Sequence, residues 1–494
     1  MLRILGSPKS ICSGISRRDL LHVGAAGAFA PMLPEALQAD EAATRRQPRA
    51  KATIFLFLFG SPPQHETFDP KPDAAAEIQG EMQAIPSSLP GLYVGEGLPQ
   101  TAQVADKLTV VRSMTHPYPI HCCAYVMTGM PTYGVPLETQ PRAPEHWPFM
   151  GSVVDYLETR QTGVRMPEIP RNIGVPWRFC SRGSSPNQAG PYGAFLGNGF
   201  DPFWTDFEGE GTRVVPKLTA GQNEEVRDPH GGIKREGRFK LAPGCQLPTD
   251  ITSRRFDARQ YLLNQFDQSR SKLDRQAVLA NWSDHQQRAF SLIGSNNIRS
   301  ALDVHQEPAA LRERYGMTLF GQSCLAARRL VEAGARFVTV FWDPFGPHGA
   351  SVWDTHSNHF PRLKNYLLPV FDQTFSTLIT DLDDRGLLDE TMVLCTSEHG
   401  RTPKIDSKPP GAARHHWSRT YSSVFAGGGF ARGRVVGRSD AIGGDVVETP
   451  VSPKDMQATT YHLLGFSNMA TVPDQESRPH PIAGDGRIRS ELLG

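Results

Sequence analysis

The sequence has 494 residues, with 52 basic against 51 acidic side chains and a formal charge of +1. That balance excludes a nucleic-acid binder working by bulk basicity, and a hydrophobic content of 39% excludes a largely disordered chain. With 46 glycines and 41 prolines the chain is expected to carry long ordered loops rather than to form a helical bundle.

The amino terminus reads separately from the rest. Ser16-Arg17-Arg18-Asp19-Leu20-Leu21 has the form of a twin-arginine export motif. A weakly apolar, Ala/Gly-rich stretch follows to about Leu33, with small residues near Ala39. The run is too short and too poor in Leu and Ile to span a bilayer. We therefore expect a signal peptide over residues 1–39, recognised by the twin-arginine translocase, and no stable membrane span. The mature protein is expected in the periplasm or outside the cell. Proteins on this route cross the membrane folded, often with a metal or cofactor already loaded. After the leader, Cys122, Cys123, Cys180, Cys245, Cys324 and Cys395 remain, with no CxxC spacing, and nothing in their pattern demands a disulfide.

In chain order, the first body element is Ala52–Phe59, a continuous apolar run ending at Gly60. Continuous rather than alternating hydrophobicity predicts a strand covered on both faces, as in a parallel sheet. Further strands are predicted at Leu108–Val111, Arg336–Trp342, Thr391–Thr396 and Tyr421–Ala426. Helices are predicted at Ser323–Ala333, Asn365–Arg385 and Asp455–Leu464. Alternating helix and strand argues for an α/β domain over 40–494, with a mostly parallel central sheet and helices on both faces. From Cys180 to Pro248 the chain is rich in Gly, Pro and charge, and 254–300 reads as a polar helix. We expect 180–315 to be a cap-like insertion into the α/β domain.

In open parallel sheets ligands bind beyond the carboxyl ends of the strands. The first strand is followed by His65, Glu66 and Asp69; the second by Arg112, Ser113, Thr115, His116, His121 and Cys122. The third leads to Asp343, His348, Asp354, His356 and His359, and the fourth to Glu398, His399 and Arg401. Arg414, His415 and His416 precede the fifth. Repeated delivery of imidazole and carboxylate to one sheet edge is the pattern of a polynuclear metal site. The donor set suits zinc first, with manganese, iron or calcium as alternatives. Two such ions would clamp a phosphate- or sulfate-like group. Arg112, Arg401 and Arg414 are placed to fork onto an anionic substrate, with His121 and His415 beside them. Trp147, Trp177, Trp353 and Trp417 fall near the expected rim, where aromatic faces would suit a glycan.

The order of a strand-end acidic site, a later Asp-x-His, Thr396-Ser-Glu-His-Gly400 and a downstream His resembles the alkaline phosphatase-like superfamily, which includes sulfatases. More specifically, Gly60-Ser-Pro-Pro-Gln-His-Glu-Thr-Phe-Asp-Pro-Lys-Pro72, Val111-Arg-Ser-Met-Thr-His116, Trp353-Asp-Thr-His-Ser-Asn358, Glu398-His-Gly-Arg-Thr-Pro403 and Val451-Ser-Pro-Lys-Asp455 resemble the secreted family known as domain of unknown function 1501. The resemblance implies a three-layer alkaline phosphatase-like fold and a metal-dependent hydrolase of phosphate or sulfate esters. It implies metal ligands at Asp354, His356 (with His359 as competitor), Glu398, His399 and His416 or His415. His65, Glu66 and Asp69 stand in place of the first-strand carboxylate. The nucleophile position, by the same resemblance, falls to Cys122, Ser113 or Thr115, with Arg401 beside it. Cys122 at a helix start reads either as a low-pKa thiolate or metal ligand, or as a small packing residue. The segment Ile120–Gly129 ends in Met-Thr-Gly as sulfatases do but lacks their Cys/Ser-x-Pro-x-Arg signature, so sulfate hydrolysis through formylglycine is not expected. The contrasting expectation is a degenerate, non-catalytic member that binds glycan or a cell-envelope partner.

Overall fold

The computed structural model of the chain describes residues 47–131, 138–141, 143–164, 167–183, 188–216, 225–242, 296–345 and 352–494. The expected signal peptide, His348 and most of the expected polar helix at 254–300 lie outside the described residues.

The centre of the molecule is a 9-stranded sheet. In chain order its strands are β1 (Ala52–Leu58), β2 (Leu108–Met114), β3 (Asn172–Val175), β4 (Phe203–Glu208), β5 (Arg238–Leu241), β6 (Phe337–Trp342), β7 (Thr391–Thr396), β8 (Tyr421–Ala426) and β9 (Arg434–Val436). Their spatial order is β9-β2-β8-β7-β1-β6-β3-β4-β5. The strands from β7 through β4 pair in parallel, as do β9 and β2, whereas β8 runs against both of its neighbours and β5 against β4.

β1 lies between β6 and β7 and is buried along its whole length. Its side chains divide by parity. Ile54, Leu56 and Leu58 enter the core on one face, while Phe55, Phe57 and Phe59 enter the core on the other. Burying each of those phenylalanines contributes about 1.5–3 kcal/mol before entropy is charged against it. Over the first face lie α3 (Leu319–Glu332) and α4 (Leu368–Asp384), through Leu325, Leu330, Phe371 and Phe375. Over the second lie α1 (Cys123–Thr128), α2 (Met150–Thr162) and α5 (Pro453–Leu463), through Val126, Val153, Met456 and Tyr461. A mixed α/β fold with a large, mostly parallel sheet and helices on both faces results.

The expected cap is different in the parts that are described. β4 and β5 fall inside 180–315, yet they extend the central sheet at its edge, joined through Ile173 and Gly174 of β3. Cys122, Cys123, Cys180, Cys324 and Cys395 are free thiols. No described helix is long and apolar enough to cross a membrane.

Candidate metal centre

Strand direction assembles the site. β1, β2, β6 and β7 all end at one edge of the sheet, so Gly60, His121, Asp354 and Glu398-His399 are delivered there. Because β8 is antiparallel to β7, its beginning lies at that same edge, which brings in His415 and His416. A two-residue ribbon completes the placement, with Gly400 opposite Trp417 and Arg401 opposite His416. The close approach of β1's end to Asp354 requires Gly60. Its φ is +93°, and a Cβ there would sit 2.4 Å from the Asp354 main-chain nitrogen.

Among the described residues two sets of potential ligands emerge: His121, His399 and His416, and Asp354, His356 and His416. In each set one donor atom per residue lies within 4.8 Å of the others. The hydrogen bonds around them fix which atoms face inward. His399 donates Nδ1–H to the Gly400 carbonyl at 2.8 Å, and its Nε2, though buried, has no hydrogen-bond partner. Burial, with Arg401, His416 and His121 nearby, holds its pKa well below the ordinary histidine value, so the ring is neutral with a lone pair on Nε2.

A second chain of bonds leads to the same conclusion. If His415 donates Nε2–H to Asp406 at 3.3 Å, its Nδ1 accepts from His356 Nδ1–H at 2.8 Å. His356 Nε2 then carries a lone pair, yet it lies 2.9 Å from His416 Nε2 and 3.0 Å from Asp354 Oδ1. His416 Nε2 is itself 3.2 Å from that oxygen. Converging lone pairs need a shared proton or a cation among them. The orphaned His399 nitrogen and this convergence are the fit expected of a metal-binding donor set.

His121 contacts carboxylates on both nitrogens. Nδ1 is 3.0 Å from Glu398 Oε1 and Nε2 is 3.5 Å from Asp354 Oδ2. Burial works against its charge, but the two carboxylates outweigh burial and push its pKa up to about 10. Its ring stacks on Phe59 at 5.0 Å, which fixes the ring plane. Asp354 is also buried in part, but the Arg401 guanidinium at 2.6 Å and the three surrounding imidazoles hold it well below the usual carboxylate range.

The family model described as protein of unknown function DUF1501 matches residues 50–493. The chain belongs to the DUF1501 family. No curated protein matches the sequence. Among solved structures the chain is similar to Ps i-CgsB, at 12% identity and a TM-score of 0.39, covering 90% of this chain and 75% of that one. The same protein in complex with k-i-k-neocarrahexaose gives 12% identity and a TM-score of 0.36, over 85% and 72%. The PsFucS1 sulfatase from Pseudoalteromonas sp. gives 12% and 0.38, over 93% and 74%. These likenesses are loose, and the chemistry of this DUF1501 protein has to come from its own residues.

Those residues rearrange the expected roles. His121, expected beside the substrate, belongs to a ligand set. Glu398, expected as a ligand, has both oxygens engaged: Oε1 accepts from Gly60 N at 2.8 Å and from His121, and Oε2 accepts from Ser397 Oγ at 3.2 Å. It lies behind His121 rather than among the converging atoms. His359 does not compete with His356. It is fully buried, with Nδ1 2.7 Å from Thr355 Oγ1 and Nε2 3.4 Å from Glu66.

The first-strand acids form a separate internal cluster. Glu66 binds Arg414 through two contacts, 2.7 and 3.0 Å, and is held far below the ordinary carboxylate range despite burial, by Arg414 and then His359. His65 is held to the Ile442 carbonyl at 2.7 Å, and burial lowers its pKa to about 4. Asp69 pairs with Lys71 at 3.0 Å and accepts from Ser439. None of the three belongs to a candidate ligand set among the described residues.

Of the expected nucleophiles, Ser113 and Cys122 are engaged elsewhere. Ser113 donates Oγ–H to the Thr449 carbonyl at 2.6 Å, and Thr115 joins Val451 through its main chain. Cys122 is buried against the Glu398 carbonyl at 3.5 Å, and burial pushes its thiol well above the ordinary value. A helix start lowers a thiol's pKa only where charge is screened little and solvent reaches the sulfur; here desolvation dominates and Glu398 adds to it. Nor are the arginines open to substrate. Arg401 holds the Gly60, Ser61 and Arg414 carbonyls, Arg414 holds Glu66, and Arg112 holds the Phe68 and Tyr93 carbonyls. Trp177 and Trp353 are core residues, at 3% and 0% exposure, and so offer no rim platform. Asp406 and Glu138, which orient His415 and the His121 main chain, carry no local sequence signal.

Proposed function

We propose that the chain is a metal-dependent hydrolase of phosphate or sulfate esters, built on an alkaline phosphatase-like fold and exported by the twin-arginine route to the periplasm or beyond. The observation that carries this reading is the buried, unpartnered Nε2 of His399 converging with His121 and His416. His121, His399, His416, Asp354 and His356 would hold a divalent ion, zinc first among the candidates. Such an ion would supply Lewis-acid polarisation of an ester oxygen and of water.

The chain's own residues do the rest. Gly400 and Glu398 orient His399 and His121 by accepting their Nδ1 protons. The His356–His415–Asp406 chain orients His356, since His415 Nδ1 accepts the His356 Nδ1 proton and so leaves Nε2 facing the centre. With Ser113 held by the Thr449 carbonyl and Cys122 buried, the attacking oxygen is expected from water rather than from the protein.

The test is hydrolysis of p-nitrophenyl phosphate, p-nitrophenyl sulfate and sulfated oligosaccharides by protein purified without chelators. Turnover that falls to background in EDTA and in His399→Ala supports the reading. Absence of bound metal together with absence of turnover on all three classes overturns it. That Ser113 and Cys122 are engaged away from the ligand sets favours the second reading, a non-catalytic glycan or cell-envelope binder, and glycan binding by metal-free protein would support that instead.

A further inference from the structure

We infer that the centre takes one divalent ion per chain rather than two, because Arg401 already supplies the second cationic charge and Glu398 is committed to His121. This rests on the metal-dependent reading above and specifies its site. The two ligand sets are not independent, since both draw on His416. A single imidazole nitrogen has one lone pair, and His416 Nε2 is within 3.2 Å of both Asp354 and His356.

The charges agree with the sharing. Two carboxylates stand at the centre, Asp354 and Glu398. Against them stand two buried guanidinium groups: Arg401 lies 2.6 Å from Asp354 Oδ1, and Arg362 donates to the Asp354 main-chain carbonyl at 2.9 Å. Ligation requires every one of the imidazoles to be neutral, His121 included, and with the imidazoles neutral these four charges cancel. One divalent ion then gives a net dication, which an anionic ester would balance. Two ions would bring four positive charges to a centre whose candidate ligands include one carboxylate, Asp354, and the shared His416 could serve only one of them. Glu398 offers no relief. Its oxygens accept from Gly60 N, His121 Nδ1 and Ser397 Oγ, and its side chain is 0% exposed. Glu398 is thus a positioning residue, holding His121 so that Nε2 faces inward.

Two measurements on the purified chain test this. Metal is stripped and cobalt(II) chloride is titrated in, following the visible d–d absorption, and the as-isolated protein is analysed for metal content. Saturation at one equivalent is the expected result. Two tight equivalents overturn the single-ion assignment while leaving the metal-dependent reading intact, and none at all overturns both. Glu398→Gln keeps an acceptor for Gly60 N and His121, so it should still bind one equivalent, with affinity lowered about 10–100-fold. If folded Glu398→Gln, checked by circular dichroism, binds no cobalt, Glu398 is itself a ligand and the inference fails.

Discussion

Asp343, the residue after β6, shows how burial can outweigh good hydrogen bonding. Its carboxyl accepts from Trp177 Nε1 at 3.1 and 3.2 Å and from Cys180 N at 2.8 Å, all of which favour the charged form. The side chain is nonetheless fully buried, and desolvation, with a smaller contribution from Asp228, pushes its pKa up to about 8. The folded protein therefore keeps the proton where the unfolded chain, with an ordinary carboxyl near 4, releases it. Stability from this group is complete below about pH 4 and is lost as the pH rises towards 8. Asp343→Asn keeps a neutral amide in place and removes the titration. Denaturant midpoints measured between pH 5 and 8 should fall for the wild type relative to the variant. Parallel curves across that range would show that Asp343 is already charged in the fold. Much of the site's cast could be read from the sequence at this scale, because His399, His416, Asp354 and His356 each follow or precede a recognisable strand. Roles were less legible. Whether His121 presents a nitrogen to a metal, or Glu398 stands behind it, depends on a contact between positions 277 apart in the chain.

Elements were legible in proportion to their burial. β1, β6 and β7 announce themselves through apolar runs broken only by threonine, because both faces are covered. β3 and β9 have four and three residues, and β4 and β5 mix Asp, Glu, Arg and Lys at the sheet edge, so no periodicity singles them out. Nor does any local pattern encode that β8 runs backwards, which is what places His416 in the centre. The start of α5 is clearer. Ser452 Oγ accepts from Asp455 N at 3.2 Å while Asp455 accepts from Ser452 N at 3.0 Å, a reciprocal cap followed by Pro453. This helix packs beside α1, which begins two residues after His121, and its Leu463 carbonyl accepts from Arg49 N and Ala50 N just before β1. Ser452→Ala should lower unfolding stability by about 1 kcal/mol, read as a shifted denaturant midpoint, and Ser452→Asp should recover most of it. Equal losses in the two variants would mean that the cap bond is not what Ser452 contributes.

At the scale of the whole molecule, the centre joins stretches that have no reason to meet except in the folded state. His121 comes from the segment before α1, Asp354 and His356 from the chain after β6, His399 from the end of β7 and His416 from the approach to β8. The unfolded chain offers scattered imidazoles, whereas the fold offers convergent ones, so an ion bound there stabilises the native state selectively. Free zinc at 100 times its dissociation constant should raise stability by about 2.7 kcal/mol, less whatever the unfolded histidines bind. Thermal midpoints should climb with the logarithm of free zinc, fall back on EDTA, and become insensitive to zinc in His399→Ala. A midpoint that ignores zinc in the wild type, or climbs equally in the variant, would place any bound ion elsewhere. The comparison discriminates well because His399 donates only to its neighbouring Gly400 carbonyl and leaves its other nitrogen unpartnered. Truncating it removes the metal's contribution while breaking a single short-range hydrogen bond, so the two effects separate along the zinc axis.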